Sequence, residues 1–181
     1  STRKQFHHND INGDSTMSSL QVDSISSMGG GHVDGAGLVV QVIQEIHTGQ
    51  FLNASDSFQK TGLRATITPS RTSSKILVSV TPAAYGEVVG RDTMGLYARI
   101  IKNDVSMVDF GRLIIQTGGR SGNDLLGVGS QPSLTYLDSP SSTSPLTYEL
   151  EIRGEFENMD SVRINKDGIG ISIITLWELA Q

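Results

Sequence analysis

The last apolar run of the chain, residues 171–179 (ISIITLWEL), constrains the fold most because it is apolar on both faces. Successive side chains of a β-strand point to opposite sides. One face therefore carries Ile171, Ile173, Thr175, Trp177 and Leu179, and the other carries Ile174 and Leu176. A small β-sandwich covers only its inner face with its own core, so we expect Ile174 and Leu176 to need a loop, a helix or another subunit as outer cover. The run favours an oligomer, and the alternative is a central strand overlaid by the chain's own loops.

From residue 38 onward the hydrophobic pattern has a period of two, which is typical of strands rather than helices. The predicted strands are residues 38–47, 63–67, 76–80, 94–102, 105–110, 113–116, 134–137, 145–154, 162–164 and 171–179. Asn103-Asp104 predicts a tight hairpin turn between two of them. Roughly eight to ten strands of this kind predict an all-β, antiparallel sandwich or jelly roll, because an open sheet of that size would expose its edges.

Residues 1–37 differ in composition from the rest, being rich in Ser, Gly, Asp, Asn and His. They contain too few apolar residues for a core of their own, and the three glycines at residues 29–31 are expected to act as a hinge. The spacing of Leu20, Val22 and Ile25 allows a short extended stretch to add to a neighbouring sheet edge. We interpret residues 1–37 as an extended N-terminal arm anchored by these three side chains, followed by the β-domain at 38–181. The alternative is a disordered leader.

Charge and composition exclude several classes of function. The net charge is −5 and no run of Lys or Arg is present, so nucleic acid is not an expected partner. The absence of cysteine excludes thiol catalysis and cysteine-ligated zinc. No apolar run reaches the length of a membrane helix, so no membrane partner is expected. The N-terminus lacks the apolar core of a signal peptide, and Ser1 is expected to follow a removed initiator methionine.

Each candidate metal ligand or acid-base residue has a structural interpretation that is simpler than a chemical role. His7 and His8 with Asp10 form a poor preformed metal cage on a flexible arm, and His47 with Glu45 is more typical of a surface pair. Glu149 and Glu151 share a strand face, where they are interpreted as the solvent-exposed side rather than as an acid-base pair.

The glycine-rich segment at residues 118–129 is interpreted as an irregular insertion. It lacks the lysine and helix of a phosphate-binding loop. We therefore expect no enzyme, no catalytic residue, no metal and no cofactor.

Four segments, in order, resemble tailed-phage virion structural proteins, especially those of marine and freshwater cyanophages. They are residues 62–69 (GLRATITP), 73–78 (SSKILV), 135–140 with 144–148 (TYLDSP and SPLTY), and 171–180 (ISIITLWELA). Residues 20–27 (LQVDSISS) resemble the openings of several phage structural proteins. The resemblance implies a virion component with a compact jelly-roll-like module that commonly trimerises. Such modules occur in tail-fibre tips and in small head proteins, so the family alone does not decide the location.

The leading hypothesis is a bacteriophage capsid decoration, or cement, protein on the surface of the phage head. It would be a homotrimer that binds the major capsid protein and stabilises the head through its arm, with many weak contacts reinforced by effective concentration. The predicted arm anchors are Leu20, Val22 and Ile25, and the predicted subunit contacts are Tyr97, Ile101, Ile174 and Leu176.

The alternative hypothesis is a tail-fibre or tail-adaptor subunit that binds other tail proteins or a host surface receptor. Its binding surface would lie in the loops around residues 85–92 and 118–129, since exposed loops on a rigid scaffold commonly carry recognition. Under either hypothesis the protein is made in the host cytoplasm and resides in the virion.

Overall fold

A computed structural model describes residues 37–89, 93–117, 125–155, 161–168 and 170–181. These residues form twelve β-strands and one short 3₁₀ turn at Lys166–Gly168. The strands are β1 (Val39–His47), β2 (Phe51–Asn53), β3 (Gln59–Ile67), β4 (Lys75–Thr81), β5 (Ala84–Val89), β6 (Thr93–Lys102), β7 (Val105–Thr117), β8 (Leu125–Ser130), β9 (Leu134–Asp138), β10 (Leu146–Gly154), β11 (Ser161–Ile164) and β12 (Ser172–Leu179). Every pairing between them is antiparallel.

The strands form three four-stranded sheets, and two of these make a jelly roll. Sheet 1 has the order β1-β12-β4-β9 and sheet 2 the order β3-β10-β6-β7. When these eight strands are renumbered along the chain, the orders become 1-8-3-6 and 2-7-4-5. That arrangement is the double Greek key of a jelly roll. The all-β, antiparallel fold class predicted from the sequence is confirmed.

Sheet 3 has the order β2-β11-β5-β8, and each of its strands interrupts one connection of the jelly roll. Since β2, β5, β8 and β11 lie in alternate connections of an antiparallel sandwich, all four are inserted at the same end, where they pair with one another. The described parts of residues 85–92 and 118–129 are therefore paired strands, and the prediction of loops there was wrong for them. Short glycine-containing stretches such as LLGVGS show no clear alternation, so the neighbouring strands determine their pairing.

The sequence predicted the hairpin turn after β6 correctly, but it divided the strand that follows this turn into two. The hairpin at Asn103-Asp104 is confirmed, with positive φ angles of 46° and 68°, as tight hairpin turns require. In contrast, residues 105–110 and 113–116 belong to the single long strand β7. Gly111 joins them with a φ of 68°, in a strand whose register against β6 is interrupted.

The core lies between sheets 1 and 2. On the inner face of sheet 1, one side chain from each strand lies directly opposite the next, in the row Ile43, Leu176, Val78 and Tyr136. We call these four residues the inner row. From sheet 2, Tyr148, Leu150 and Ile100 are fully buried in the same cluster. The middle of β12 is therefore buried in the core formed by one chain.

The faces of β12 are reversed relative to the prediction. Ile174 and Leu176 have no exposed surface, and they pack in the core rather than on the outer face. The prediction that they contact sister subunits was therefore wrong. Ile173 and Trp177 occupy the outer face and are only partly buried.

Polar residues at both ends of β12 explain this choice of face. The Glu178 carboxylate, 1% exposed, accepts hydrogen bonds from the Ser70 N–H (2.7 Å), the Ser70 hydroxyl (2.6 Å) and the Ser74 hydroxyl (2.7 Å). At the other end of the strand, the buried hydroxyl of Ser172 donates to Asn165 Oδ1 at 2.8 Å. Because these partners satisfy the buried polar groups, the face that begins at Ser172 and ends at Glu178 can turn inward.

Candidate interaction surface

Four apolar side chains form a continuous row on the outer face of sheet 1, one from each strand. Val42 lies opposite Trp177, Trp177 opposite Leu77, and Leu77 opposite Leu137. Val42 is 52% exposed and Leu137 is 46% exposed, while Trp177 and Leu77 are partly buried. We call Val42, Leu77, Leu137 and Trp177 the apolar row. It runs across the sheet beside the inner row, on the opposite face.

The rest of this face alternates between polar and apolar rows. The next row is polar, and in it the Gln44 amide donates a hydrogen bond to Thr175 Oγ1 at 3.1 Å. Beyond it Ile46, 58% exposed, lies opposite Ile173. Contiguous exposed apolar side chains framed by polar ones are typical of protein interaction sites. This face is therefore the candidate interaction surface of the domain.

Strand β1 forms one edge of this surface. At its start Leu38, Val39 and Val40 are each more than half exposed. The Gly37 N–H donates to the Ala180 carbonyl at 2.7 Å, and the Ala180 N–H donates to the Leu38 carbonyl at 2.9 Å. The chain thus enters the domain beside the end of β12, at the rim of the candidate surface. The predicted arm anchors Leu20, Val22 and Ile25 lie outside the described residues.

The outer face of sheet 2 carries a row of charged side chains instead. Lys60, Glu151, Arg99 and Asp109 lie opposite one another across its four strands, alternating in sign. We call these four residues the charged row. At its centre Arg99 Nε donates to Glu151 Oε2 at 2.6 Å.

The interpretation of Glu149 and Glu151 as a solvent-exposed pair was wrong. Glu149 is 6% exposed and Glu151 is 7% exposed, since their strand β10 lies in the interior of sheet 2, between β3 and β6. Glu149 accepts a hydrogen bond from the Gly62 N–H at 3.2 Å. The Arg99 ion pair and this backbone donor are interactions that stabilise buried carboxylates.

Stacked arginines extend this face. The Arg99 guanidinium lies 4.2 Å from the centroid of the Phe58 ring, and that of Arg153 lies 3.9 Å from the centroid of the Tyr97 ring. Arg112 donates to Tyr97 Oη at 3.0 Å and forms an ion pair with Glu155. Contacts of this kind between cations and aromatic rings are favourable. The aromatic groups of this face are therefore occupied by the chain's own cations.

The two remaining predicted subunit contacts have different surroundings. Ile101 is 2% exposed, so the prediction that it contacts a sister subunit was wrong: almost none of its surface is open. Tyr97 is partly buried among the arginines. Its role in subunit contact stays a prediction.

Among the candidate metal ligands, Glu45 and His47 lie within the described residues. Across the described ranges, no group of three or more His, Asp or Glu side chains has the arrangement of a metal site. His47 packs close to Gly49 and Gly62, where an added Cβ would lie 3.4 Å from its ring atoms. His7, His8 and Asp10 lie outside the described residues. In the part of the chain that the structure describes, no helix has the length and apolar character to cross a membrane.

Sequence reasoning missed Val42, Leu77 and Leu137 as surface residues. A signal was present at Leu77, which stands between the core residues Ile76 and Val78 in the phase otherwise occupied by Lys75 and Ser79. An apolar residue in the polar phase of a strand indicates an outer-face contact. Trp177 was assigned to the covered face and lies instead on the outer one.

No family model matches the chain, and no curated protein matches it. Several solved structures are similar to the chain, but with low TM-scores. Dimeric latent PorU from Porphyromonas gingivalis has a TM-score of 0.37 and 14% identity, over 89% of this chain and 14% of that protein. The infectious bursal disease virus VP2 subviral particle has a TM-score of 0.36 and 11% identity, over 90% and 43%. The T13 viral particle of the same virus has a TM-score of 0.34 and 10% identity, over 89% and 40%.

The chain therefore spans less than half of each of these proteins. At TM-scores this low, the similarity identifies neither a shared activity nor a shared partner. The assignment of the fold depends on the strand order of this chain.

Proposed function

We propose that the protein is a virion structural protein, a homotrimeric capsid decoration protein that binds the major capsid protein on a phage head and stabilises it through its N-terminal arm. The apolar row carries this proposal, because a domain whose core is already complete has no internal use for it. Identical copies would cover Val42, Leu137 and Trp177 on one another. The phage origin and the trimer follow from the sequence resemblance, and the proposal includes no catalysis, cofactor, nucleic acid or membrane.

The geometry of the chain at Gly37 supports the role of the arm. Gly37 lies twelve positions after Ile25 in the sequence, and a fully extended chain over twelve positions spans at most about 40 Å. In the proposed assembly, an arm of this length would allow Leu20, Val22 and Ile25 to bind a neighbouring capsid subunit. A few apolar side chains buried at each of many identical sites would give the coat durable attachment.

Two measurements on phage particles test this function. A mass-spectrometric copy count should find the protein in proportion to the major capsid protein. The triple variant Leu20→Ser, Val22→Ser and Ile25→Ser should bind stripped heads at least about tenfold more weakly, since each apolar side chain buried contributes roughly 1.5–3 kcal/mol.

Ile11→Ser is the matched control, because it removes an apolar side chain of the arm outside the anchor, and we expect it to bind normally. Unchanged head binding by the triple variant would remove the arm from the mechanism. A count of only a few copies per particle would contradict a head location.

Sheet 3 favours a second candidate function, a tail-fibre or tail-adaptor subunit that attaches to the host or to another tail protein. Strands β5 and β8 pair directly, with Ala84 opposite Ser130 and Tyr85 opposite Gly129. They bring together parts of both segments predicted to form the attachment surface. The same copy count separates the two functions, because a tail location requires only a few trimers per particle.

A further inference from the structure

An open groove of about 570 Å³ lies beside sheet 3. Its lining includes Tyr85, Ser130, Gln131, Lys166 and Asp167. This volume is within the range of roughly 300–1,000 Å³ that small-molecule sites occupy. The groove is separate from the apolar row, which lies on the outer face of sheet 1.

Tyr85 forms the aromatic part of the groove, and a glycine fixes its position. A Cβ atom built on Gly127 would lie 1.7 Å from Tyr85 Oη, so the ring crosses β8 at a place where only glycine leaves room. Lys166 Nζ lies 4.0 Å from the ring centroid and 3.7 Å from Glu87 Oε1. The aromatic ring and the ammonium group are thus held together at the groove.

The turn that presents Lys166 and Asp167 is held rigidly. Asn165 is fully buried, and its amide donates to the carbonyls of His47 at 2.7 Å and Gly49 at 3.0 Å. Its own N–H donates to the Ala83 carbonyl at 2.9 Å. Asn165 and Asp167 both have positive φ angles, 52° and 55°, a strained conformation that persists only where the surroundings impose it. A preformed rim lowers the entropic cost of binding a ligand.

The chemistry of the lining selects the class of ligand. Among the described residues that line the groove, Lys166 is the cation and Asp167 is the anion, so the lining has no net charge. A phosphate or another polyanion would meet the Asp167 carboxylate without a second cation to offset it. Gln131, Ser130 and Asp167 offer several hydrogen-bond donors and acceptors around a largely apolar floor.

We propose that this groove binds a neutral saccharide. The apolar C–H face of a sugar ring fits the apolar lining at Ala83 and Gly170 beside the Tyr85 ring. Its hydroxyl groups pair with Asp167, Gln131 and Lys166. The proposal goes beyond the structural role above and does not depend on whether the protein sits on the head or the tail.

The test is saturation-transfer NMR on the full chain with neutral trisaccharides as probes: maltotriose, cellotriose, mannotriose, galactotriose and N-acetylated chitotriose. We expect transfer to the C–H protons of at least one of them. Asp167→Asn should weaken its binding by at least about fivefold, because a hydrogen bond to a charged acceptor is replaced by a neutral one. Gln131→Ala, a second exposed position, should also weaken it.

Asp104→Asn is the matched control, since Asp104 is likewise an exposed aspartate with a positive φ of 68° and lies in the hairpin turn outside the groove. We expect it to bind as the unmodified protein does. The inference is overturned if no trisaccharide receives transfer. It is also overturned if transfer persists unchanged in both groove variants, or if inorganic phosphate binds the groove and the trisaccharides do not.

Discussion

The outer faces of sheets 1 and 2 differ in chemistry: the middle row of sheet 2 is charged and paired at its centre, and that of sheet 1 is apolar and partly exposed. Across sheet 2 the charged row alternates in sign over four strands, and its buried Glu151 is paired with Arg99 at 2.6 Å. Across sheet 1 the corresponding row consists of Val42, Trp177, Leu77 and Leu137. On sheet 2 the central charged side chains pair with one another, whereas on sheet 1 the apolar side chains remain partly exposed to water.

This difference indicates which face would be covered in the proposed assembly. Replacing the contacts of the charged row by those of a partner would require breaking ion pairs that are already formed, at a cost in desolvation. Covering the apolar row removes apolar area from water and breaks no such pair. In the proposed assembly, the copies would therefore meet through sheet 1, and sheet 2 would face solvent.

The largest expected effect separates the inner row from the apolar row. Leu176→Ala should lower the free energy of unfolding by about 2–5 kcal/mol, because it leaves a cavity in a close-packed core. Leu137→Ala, the same change on the outer face, should cost under about 1 kcal/mol in the dissociated subunit. Chemical denaturation at low protein concentration measures both. Equal losses would show that the outer leucine is part of the core.

A smaller effect is expected at the charged row. Arg99→Ala should cost about 1–3 kcal/mol, since it leaves the nearly buried Glu151 carboxylate without its ion-pair partner. The double variant Arg99→Met with Glu151→Leu should recover most of that loss, because it removes the buried charge together with its partner. Thermal unfolding of the two variants checks this. If the double variant is as unstable as the single one, the unpaired charge is not the cause.

Glu178 should make stability depend on pH. Burial raises the pKa of its carboxyl group, but the hydrogen bonds from Ser70 and Ser74 outweigh burial, and its net pKa lies below the ordinary value. The stabilisation is therefore complete above the ordinary carboxyl pKa and is lost as the pH falls through the lowered pKa of the folded state. Glu178→Gln should cost about 1–2 kcal/mol at neutral pH and flatten the acid side of the stability profile.

The same substitution at the exposed Glu45 provides the comparison for Glu178. Glu45→Gln should change the free energy of unfolding at neutral pH by no more than about 0.5 kcal/mol. An acid limb that is unchanged in Glu178→Gln would mean that another group produces it.

The smallest effect is expected at the exposed end of the charged row. Lys60 pairs with Asp104 in the hairpin turn, and their side chains are 48% and 78% exposed. Exposed ion pairs of this kind contribute little to stability because water and salt screen them. Lys60→Met should therefore leave the unfolding midpoint unchanged within error, at low salt and at high salt. A clear salt-dependent loss would show that the whole row acts as one coupled network.

The sequence predicts the sandwich well, because alternation at positions such as Leu63, Ala65 and Ile67 directly reports a half-buried strand. Of sheet 3 it predicts the strand at residues 162–164, but not the other three strands, which are short, alternate poorly and depend on partners from distant connections. A jelly roll could therefore be inferred from periodicity, while the groove beside Tyr85 could not.

The candidate surface was predicted in kind but on the wrong face. Apolar residues on both sides of β12 correctly indicated apolar side chains on the outer face of the sheet, and their contact with another subunit stays a prediction. Which side turns inward depends on Ser70 and Ser74, which are remote in sequence and satisfy the buried Glu178. No local pattern contains that information.

Sedimentation velocity tests the central claim most directly, namely that the apolar row is an interface between copies of this chain. We predict that the unmodified protein sediments as a trimer, and that the double variant Val42→Asp with Leu137→Asp sediments as a folded monomer. Val105→Asp, which charges a valine that is 64% exposed on the β6–β7 hairpin, should remain a trimer. An unmodified protein that stays monomeric at all concentrations, or a double variant that still forms trimers, would contradict the claim.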